Sequence, residues 1–243
     1  MRTLIPAESF RRMHEREAAQ SPLVLPNVWD AVSARVFAGA GHGALATSSA
    51  AIAAVLGYED GGHTPPDEMF AAIRRITRAV DVPVTADIEH GYGLPPREIV
   101  ERLLEAGAVG CNLEDSDPAT GEVKDADRHA DWLAEVSVEA GDRLVVNARI
   151  DTFVFGDGSV ESAVKRARLY AEAGADVVFP ILAPTEQLPD IVACVDRPVN
   201  ALCLPDGPTP AELGALGVTR VTFGHSLHGR ATSALLDIVS DLT

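Results

Sequence analysis

The sequence lacks the features that mark membrane, secreted and nucleic-acid-binding proteins. Its 243 residues contain no uninterrupted apolar run long enough to cross a membrane. The N-terminal stretch MRTLIPAESFRRMHEREAAQ becomes charged too soon to be a signal peptide. A formal net charge of −16 argues against a basic surface that would hold nucleic-acid phosphates. We therefore expect a cytoplasmic protein with no membrane partner and no nucleic-acid partner.

Nucleotide-binding and disulfide patterns are also missing. The three cysteines, Cys111, Cys194 and Cys203, form no C-x-x-C pair and suit a reduced compartment. No G-x-x-x-x-G-K motif occurs, and GAGHG at residues 39–43 lacks the third glycine of the dinucleotide fingerprint. No flexible linker or shift in composition divides the chain. We expect one domain over residues 1–243, with 1–20 as a helical lead-in and 226–243 as a C-terminal helix.

One local pattern is present four times: a helical segment that ends in Ala and Gly, followed by a short apolar strand. It reads FAGAGHGALATSS, LLEAGAVGCNLED, YAEAGADVVFP and LGALGVTRVTFG. Glycine after an apolar helix face is a common C-terminal cap. Between these copies lie four more short apolar segments, LVLPNVWD, VPVTADIE, LVVNARID and PVNALCLP. Eight strands that alternate with helices predict a parallel (β/α)8 barrel.

Polar residues gather where the predicted strands end. The carboxyl ends of all strands in such a barrel meet at one rim, which carries the active site. The sixth strand ends in Phe179 and Pro180 and contributes no ionisable group. The others place at the rim Asn27, Asp30, Thr47, Ser48, Ser49, Asp87, Glu89, Asn112, Glu114, Asp115, Asn147, Arg149, Asp151, Asn200 and His225.

Three of these carboxylates predict a metal site. Asp87 and Glu89 are two residues apart, so on a continuous strand their side chains share a face, and Glu114 ends the neighbouring strand. Three carboxylates in one place repel each other unless a proton or a cation lies among them. Oxygen ligands of this kind suit Mg²⁺, or Mn²⁺, better than zinc. The alternative is that each acid caps a helix or pairs with a surface lysine.

Other polar residues at the rim have simpler explanations. Asp115 and Asp151 could cap the loop or helix that follows as readily as belong to a site. His225 and His228, in HSLH, lack the further ligands of a zinc site. His90 lies in a candidate rim loop, where it could titrate or support its neighbours.

The motifs that carry these residues resemble those of the isocitrate lyase / phosphoenolpyruvate mutase superfamily. In chain order they are LPNVWDAVSARV, TSSAAIAAVLGYED, VTADIEHGYG, NLEDS, NARID, GADVVFP and VTFG. The resemblance runs from about Pro26 to Gly229, and the combination of D-x-[DE]-x-G-Y-G, LED and NAR is specific. The sequence is therefore identified as a member of this superfamily.

The resemblance implies a role for individual residues. Asp87 would be the main metal carboxylate, with Glu89 and Glu114 holding metal-bound waters. Asp60 would reach toward the metal from its loop, Ser48 with the backbone near Ser49 and Ala50 would bind a substrate carboxylate, and Arg149 would pair with a second anionic group. Members also usually assemble as tetramers that exchange a C-terminal helix, so we expect a homo-oligomer, a dimer or a tetramer.

The chain departs from the superfamily pattern in three places. The segment SDPATGEVKDADRHADWL stands where lyases carry a Lys-Lys/Arg-Cys-Gly-His loop, whose Cys is their acid/base, and it contains no cysteine. The Asn/Lys-rich loop of the mutases is missing too, and Ile181 replaces a common Glu. The tail GRATSALLDIVSDLT leaves little helix to exchange between copies. Lys124, His129, Glu122 and His90 are the candidates for the acid/base.

These observations predict a Mg²⁺-dependent lyase. It would cleave a C–C bond of a small 2-hydroxy or 2-oxo di- or tricarboxylate, methylisocitrate-like or oxaloacetate-like, through an enolate-like intermediate. One alternative is a C–P mutase or hydrolase acting on a phosphoenolpyruvate-like or phosphonopyruvate-like substrate. Another is a metal-dependent protein that binds carboxylates without turnover.

Overall fold

The computed structural model describes residues 6–15, 21–117 and 120–242 of the chain. Its strands are β1 (Leu23–Val24), β2 (Asn27–Val28), β3 (Leu45–Thr47), β4 (Val84–Asp87), β5 (Gly110–Glu114), β6 (Ser116–Asp117), β7 (Glu122–Val123), β8 (Val145–Ile150), β9 (Val177–Pro180), β10 (Asn200–Leu202) and β11 (Arg220–Thr222). Its helices are α1 (Pro6–Arg12), α2 (Ala31–Gly39), α3 (Ser49–Leu56), α4 (Pro66–Thr77), α5 (Pro96–Glu105), α6 (Ala126–Ala140), α7 (Val160–Glu172), α8 (Leu188–Cys194), α9 (Pro210–Ala215) and α10 (Ser226–Asp241), with 3-10 turns at Gly141–Arg143 and Thr185–Gln187.

The parallel strands form a closed ring. One sheet has the order β2-β3-β4-β5-β8-β9 and another the order β1-β11-β10. A parallel bridge between Val178 and Val199 joins the two sheets on one side. On the other side, β1 and β2 are two parts of a single extended segment that is interrupted at Pro26, which has no N–H to donate. Each part pairs with a different neighbour, so the ring closes with eight strand positions and the predicted (β/α)8 barrel is confirmed.

The helices form an outer layer, as the sequence pattern predicts. Helix α5 starts with a proline at its first position and buries Ile99, Val100 and Leu103 against the barrel. Gly107 and Gly174, which follow α5 and α7, have φ angles of 79° and 98°. Glycine reaches this left-handed conformation at little cost, and this explains why the Ala-Gly ending precedes a strand each time.

The amino ends of the strands are closed by an apolar plug. Side chains from several strands meet inside the barrel with two residues of α1; the cluster comprises Ala7, Phe10, Leu23, Leu25, Ala44, Ala46, Val109, Val145 and Val177. Phe10 is fully buried. Arg11 attaches α1 to the barrel by donating to Asp176 Oδ1 and to the Leu144 carbonyl, both at 2.8 Å. Access to the barrel interior is therefore left to the opposite end.

The C-terminal helix α10 has 16 residues and lies within the range 226–243 that the sequence predicts for it. None of these 16 residues is buried, and whether the helix is exchanged between copies stays a prediction. The predicted lead-in lies partly outside the described residues, and the single-domain boundaries stay a prediction. Among the described residues, no helix is both long and apolar enough to span a membrane.

Candidate active site

Asp87 is the last residue of β4 and is held from two sides. Its N–H donates to Thr47 Oγ1 at 2.8 Å. The backbone N–H and the hydroxyl of Ser49 donate to Asp87 Oδ2 at 3.1 and 2.8 Å. Ser49 is the first residue of α3, so the positive end of that helix dipole faces the carboxylate. These contacts fix the orientation of Asp87 at the rim.

Glu89 reaches the same rim by a different route from the one the sequence suggested. Strand β4 ends at Asp87, and Glu89 has a φ of 51°, so strand alternation does not bring the two side chains together. The left-handed turn buries Glu89, which is 3% exposed. The Tyr92 hydroxyl donates to Glu89 Oε1 at 3.1 Å, and Oε2 has no hydrogen-bond partner within the described part of the chain. Burial, followed by the charges of Asp87 and Asp60, raises the pKa of Glu89 to about 7.

Glu114 and Arg149 form a buried ion pair at the ends of neighbouring strands. The two residues are lateral partners in β5 and β8, and Arg149 Nη1 lies 2.5 Å from Glu114 Oε2. Arg149 Nε lies 2.7 Å from Asp151 Oδ1. Burial raises the pKa of Glu114 although Arg149 acts in the opposite direction. Burial disfavours the guanidinium, but the charges of Glu114 and Asp151 raise the pKa of Arg149 above its usual value.

Three side chains at the rim form a group of possible metal ligands. Oxygen atoms of Glu89 and Glu114 and one ring nitrogen of His90 lie within 4.8 Å of one another. The carboxylate of Asp87 is outside this group, although its charge raises the pKa of both glutamates. Glu89 Oε2 and His90 Nδ1 are buried and have no protein partner among the described residues. Buried oxygen and nitrogen atoms without partners fit a divalent cation, and the donor set now includes an imidazole.

The remaining predicted site residues lie at the start of α3 and on the α3–α4 loop. Ser48 is buried and caps α3, its hydroxyl accepting from the Ala51 N–H at 3.3 Å. Ala50 lies in the first turn of the same helix. Asp60 lies on the loop after α3, and its pKa is raised by burial and by the nearby charge of Asp87.

A buried hydrogen-bond network holds the strand ends that carry the site. Asp115 is fully buried and accepts from the Asp151 N–H at 2.7 Å. Its other oxygen accepts from Arg166 Nη1 at 3.0 Å and from the Tyr170 hydroxyl at 2.6 Å. The network fixes the ends of β5 and β8 relative to α7. It therefore positions Glu114 and Arg149, which end or nearly end those strands.

Among the candidate proton carriers, His90 belongs to the cluster and Lys124 lies near it. The Lys124 N–H donates to the Asp115 carbonyl at 2.7 Å, and its Nζ lies 3.5 Å from the Glu114 carbonyl oxygen. Burial lowers the pKa of Lys124. Glu122 is exposed on β7. His129 is 3% exposed and burial lowers its pKa to about 3, so it stays neutral near pH 7.

The sequence interpretation missed several residues that shape the site. Thr47 was noted only as a strand end, and Tyr92 only within the G-Y-G motif, yet Thr47 Oγ1 accepts from the Asp87 N–H and the Tyr92 hydroxyl donates to Glu89. Arg220 was missed altogether. Arg220 and Thr222 alternate with apolar residues in VTRVTFG, and that period of two indicates a polar face inside the barrel.

The fold and the rim define a parallel β/α barrel with a carboxylate and arginine cluster at the carboxyl ends of its strands. The family model described as phosphoenolpyruvate phosphomutase matches residues 10–243. The chain therefore belongs to this family, and the resemblance seen in its motifs is confirmed.

Several relatives are named as lyases, decarboxylases or mutases. The protein named probable 2-methylisocitrate lyase 2 of Corynebacterium glutamicum is 33% identical over 96% of this chain and 82% of its own length. An oxaloacetate decarboxylase of Rhodopseudomonas palustris is 33% identical over 88% of this chain and 78% of its own length. A crystal structure from Burkholderia cenocepacia J2315, assigned provisionally as a phosphonomutase, is 40% identical, covers 98% of this chain and 100% of its own, and has a TM-score of 0.90.

Proposed function

We propose that the protein is a Mg²⁺-dependent lyase that cleaves a C–C bond of a small 2-hydroxy or 2-oxo di- or tricarboxylate. The substrate would be methylisocitrate-like or oxaloacetate-like. The observation that carries the proposal is the convergence of Glu89, Glu114 and Arg149 at the rim, with Asp87 beside them. Two relatives, named as a methylisocitrate lyase and an oxaloacetate decarboxylase, support this substrate class.

Asp87, Glu89 and Glu114 are the proposed metal ligands, directly or through water, and His90 is close enough to join them. When bound, Mg²⁺ or Mn²⁺ would stabilise the negative charge that develops on a substrate oxygen as the bond breaks. Asp60 would complete the acidic side of the site from its loop.

Arg149 is the proposed anchor for the far anionic group of the substrate. It is bonded to Glu114 and Asp151, so its guanidinium is fixed before the substrate arrives. Preorganised donors of this kind stabilise developing negative charge without reorganisation. The first turn of α3, with Ser48, Ser49 and Ala50, would bind the substrate carboxylate at the positive end of the helix.

Proton transfer would fall to Lys124 or His90. Both line a cleft of about 530 Å³ that opens beside the cluster and is also lined by Asp117, Arg128 and Trp132. The cleft has room for the part of the substrate that leaves. Lys124 Nζ in this cleft lies 3.5 Å from the Glu114 carbonyl oxygen, which suits a group that protonates or deprotonates the departing fragment.

C–P bond chemistry is the second candidate, as mutase or hydrolase on a phosphoenolpyruvate-like substrate. The description of the matching family and the 40% identical structure favour it. A third candidate is carboxylate binding without turnover, which the missing cysteine in residues 116–133 favours.

A panel of small oxo-acids, hydroxy-acids and phosphonates, incubated with Mg²⁺ and followed by NMR, separates these candidates. A lyase releases two fragments, and a mutase moves the phosphorus resonance of its substrate to a new position. A binder leaves every compound unchanged while calorimetry still detects the binding of oxalate.

Asp87→Ala should abolish turnover and Mg²⁺-dependent oxalate binding. Asp142→Ala, an exposed acid in the 3-10 turn after α6, is the matched control and should change neither. Oxalate binding that survives Asp87→Ala would contradict the assignment of the metal site.

A homo-oligomer is also proposed, formed through α10. That helix exposes Leu235, Leu236, Ile238 and Val239, Leu242 just after it is exposed too, and Val32 and Val36 of α2 are each 62% exposed. Apolar patches of this kind on a soluble domain mark interaction sites, and a second copy offers a matching surface. Leu236→Glu should convert a dimer or tetramer to a monomer in light scattering. A cytoplasmic location stays a prediction from the sequence.

A further inference from the structure

Arg220 is a charged residue buried inside the barrel. It belongs to β11, and its side chain is fully buried. Its Nη2 donates to Asn112 Oδ1 at 3.2 Å, whereas Nε and Nη1 have no partner among the described residues. Within the same described ranges, no ion pair includes Arg220; the acids at the rim pair with Arg149 and Arg166 instead. The charge of Arg220 is therefore buried and not cancelled by a bonded carboxylate.

The guanidinium lies beneath the carboxylate cluster. Strand β11 pairs with β1 and β10, so a bond from Arg220 to Asn112 on β5 must cross the barrel interior. Asn112 is the lateral partner of Asp87, and it lies two residues before Glu114 on the same strand face. Asn147 Nδ2 donates to the same Asn112 oxygen at 2.7 Å, which fixes the acceptor.

Burial makes this charge act strongly on the rim. Burial lowers the pKa of Arg220 to about 9, which leaves the guanidinium charged at neutral pH, and the charge of Asp87 favours the charged form. Charges interact more strongly through a protein interior than through water, because the effective dielectric constant is lower. A fixed cation below the site repels a metal cation above it and attracts an anion.

We propose that Arg220 is a positioning residue that weakens the binding of the divalent cation and strengthens the binding of the anionic substrate at the rim. It acts through the interior, by way of Asn112 and Asp87, and does not touch the substrate. The inference rests on the metal site of the proposed function. Without Arg220, carboxylates in an apolar interior would bind a cation too tightly. The charge of Arg220 weakens that binding and favours the ternary complex of protein, metal and anion.

The test compares Arg220→Met, Arg220→Lys and the wild type, with Mn²⁺ as the probe and EPR of free Mn²⁺ as the readout. Methionine fills a similar volume without charge, so Arg220→Met should bind Mn²⁺ on the order of tenfold more tightly. At saturating Mn²⁺, the same variant should bind oxalate several-fold more weakly in calorimetry. Arg220→Lys keeps the charge and should stay within about twofold of the wild type for both ligands.

A purely structural role for Arg220 predicts a different result, because damage to the barrel would weaken the binding of both Mn²⁺ and oxalate. Arg11→Met is the matched control: it removes one arginine at the far end of the barrel and should leave both affinities unchanged. Mn²⁺ affinity that is unchanged or lower in a folded Arg220→Met protein overturns the inference. Should that variant not fold, Arg220→Lys decides, and a tenfold loss of Mn²⁺ affinity overturns it. Failure of the wild type to bind Mn²⁺ at all would instead contradict the proposed function.

Discussion

The two ends of the barrel use the same strands for different purposes. At the amino ends, β1, β3, β8 and β9 contribute apolar side chains to a plug that α1 covers. At the carboxyl ends, β4, β5 and β8 carry Asp87, Glu114 and Arg149; burial raises the pKa of Glu114, which forms a buried ion pair with Arg149. Burying charge costs stability, whereas burying apolar surface provides it. The comparison teaches that one end stabilises the fold and thereby permits a destabilised site at the other.

The largest effect should come from the plug. Phe10→Ala removes a fully buried ring and leaves a cavity, so we expect it to lower the free energy of unfolding by about 3–5 kcal/mol. Chemical denaturation measures the loss. Phe155→Ala, at a residue that is 48% exposed, is the control and should change stability by about 0.5 kcal/mol or less. Mn²⁺ affinity of the folded Phe10→Ala protein should match the wild type, and a parallel loss would show that the two ends are not separable.

The buried acids at the carboxyl ends of the strands should make the stability of the protein depend on pH. The folded pKa of Glu89 is about 7, above the ordinary value of 4.5, so the folded protein holds a proton on Glu89 that the unfolded chain releases. Metal-free protein should therefore lose stability as pH rises from about 4.5 to about 7, with a slope from this group approaching about 1.4 kcal/mol per pH unit. Denaturation in EDTA at several pH values measures it.

Glu89→Gln is the variant that isolates this contribution. It keeps the shape of the side chain without its ionisation, so the difference in stability between the variant and the wild type should grow with pH over the same interval and level off above it. Buried acids that do not interact with Glu89 affect both proteins equally and cancel in the difference. A difference that stays constant from pH 4.5 to 8 would show that Glu89 is not held protonated.

Some of the features that distinguish the two ends of the barrel can be predicted from the sequence, and others cannot. Alternating strands and helices predicted the barrel because each element is a local pattern, and Asp87, Glu114 and Arg149 were found by reading each strand to its end. The route of Glu89 could not be predicted, because its left-handed turn breaks the alternation on which the sequence argument depended. The Glu114–Arg149 pair and the crossing of Arg220 to Asn112 depend on strand register and barrel closure, which no local period encodes.

A smaller effect should appear where α3 meets Asp87. Ser49→Ala removes the hydroxyl that donates to Asp87 Oδ2 at 2.8 Å and keeps the backbone donor. Groups that orient a metal ligand contribute on the order of tenfold in affinity, so Mn²⁺ binding should weaken by about that factor. Ser33→Ala, in the capping box of α2, is the matched control: it should cost about 1 kcal/mol of stability and leave Mn²⁺ affinity unchanged. Equal Mn²⁺ affinities in Ser49→Ala and the wild type would contradict the assignment of Asp87 as a metal ligand.

The smallest effect should come from the ion pair that lies next to the plug. Arg11 pairs with Asp176 at 2.8 Å, but its side chain is 28% exposed and solvent screens the interaction. Arg11→Met should therefore lower the free energy of unfolding by about 1 kcal/mol or less, well below the loss from Phe10 one residue away. The methionine retains much of the apolar stem that packs beside α1, so the measured loss reports the charge and its bond to the Leu144 carbonyl. Losses of similar size in Arg11→Met and Phe10→Ala would mean that polar attachment of α1, and not apolar burial, stabilises the amino end.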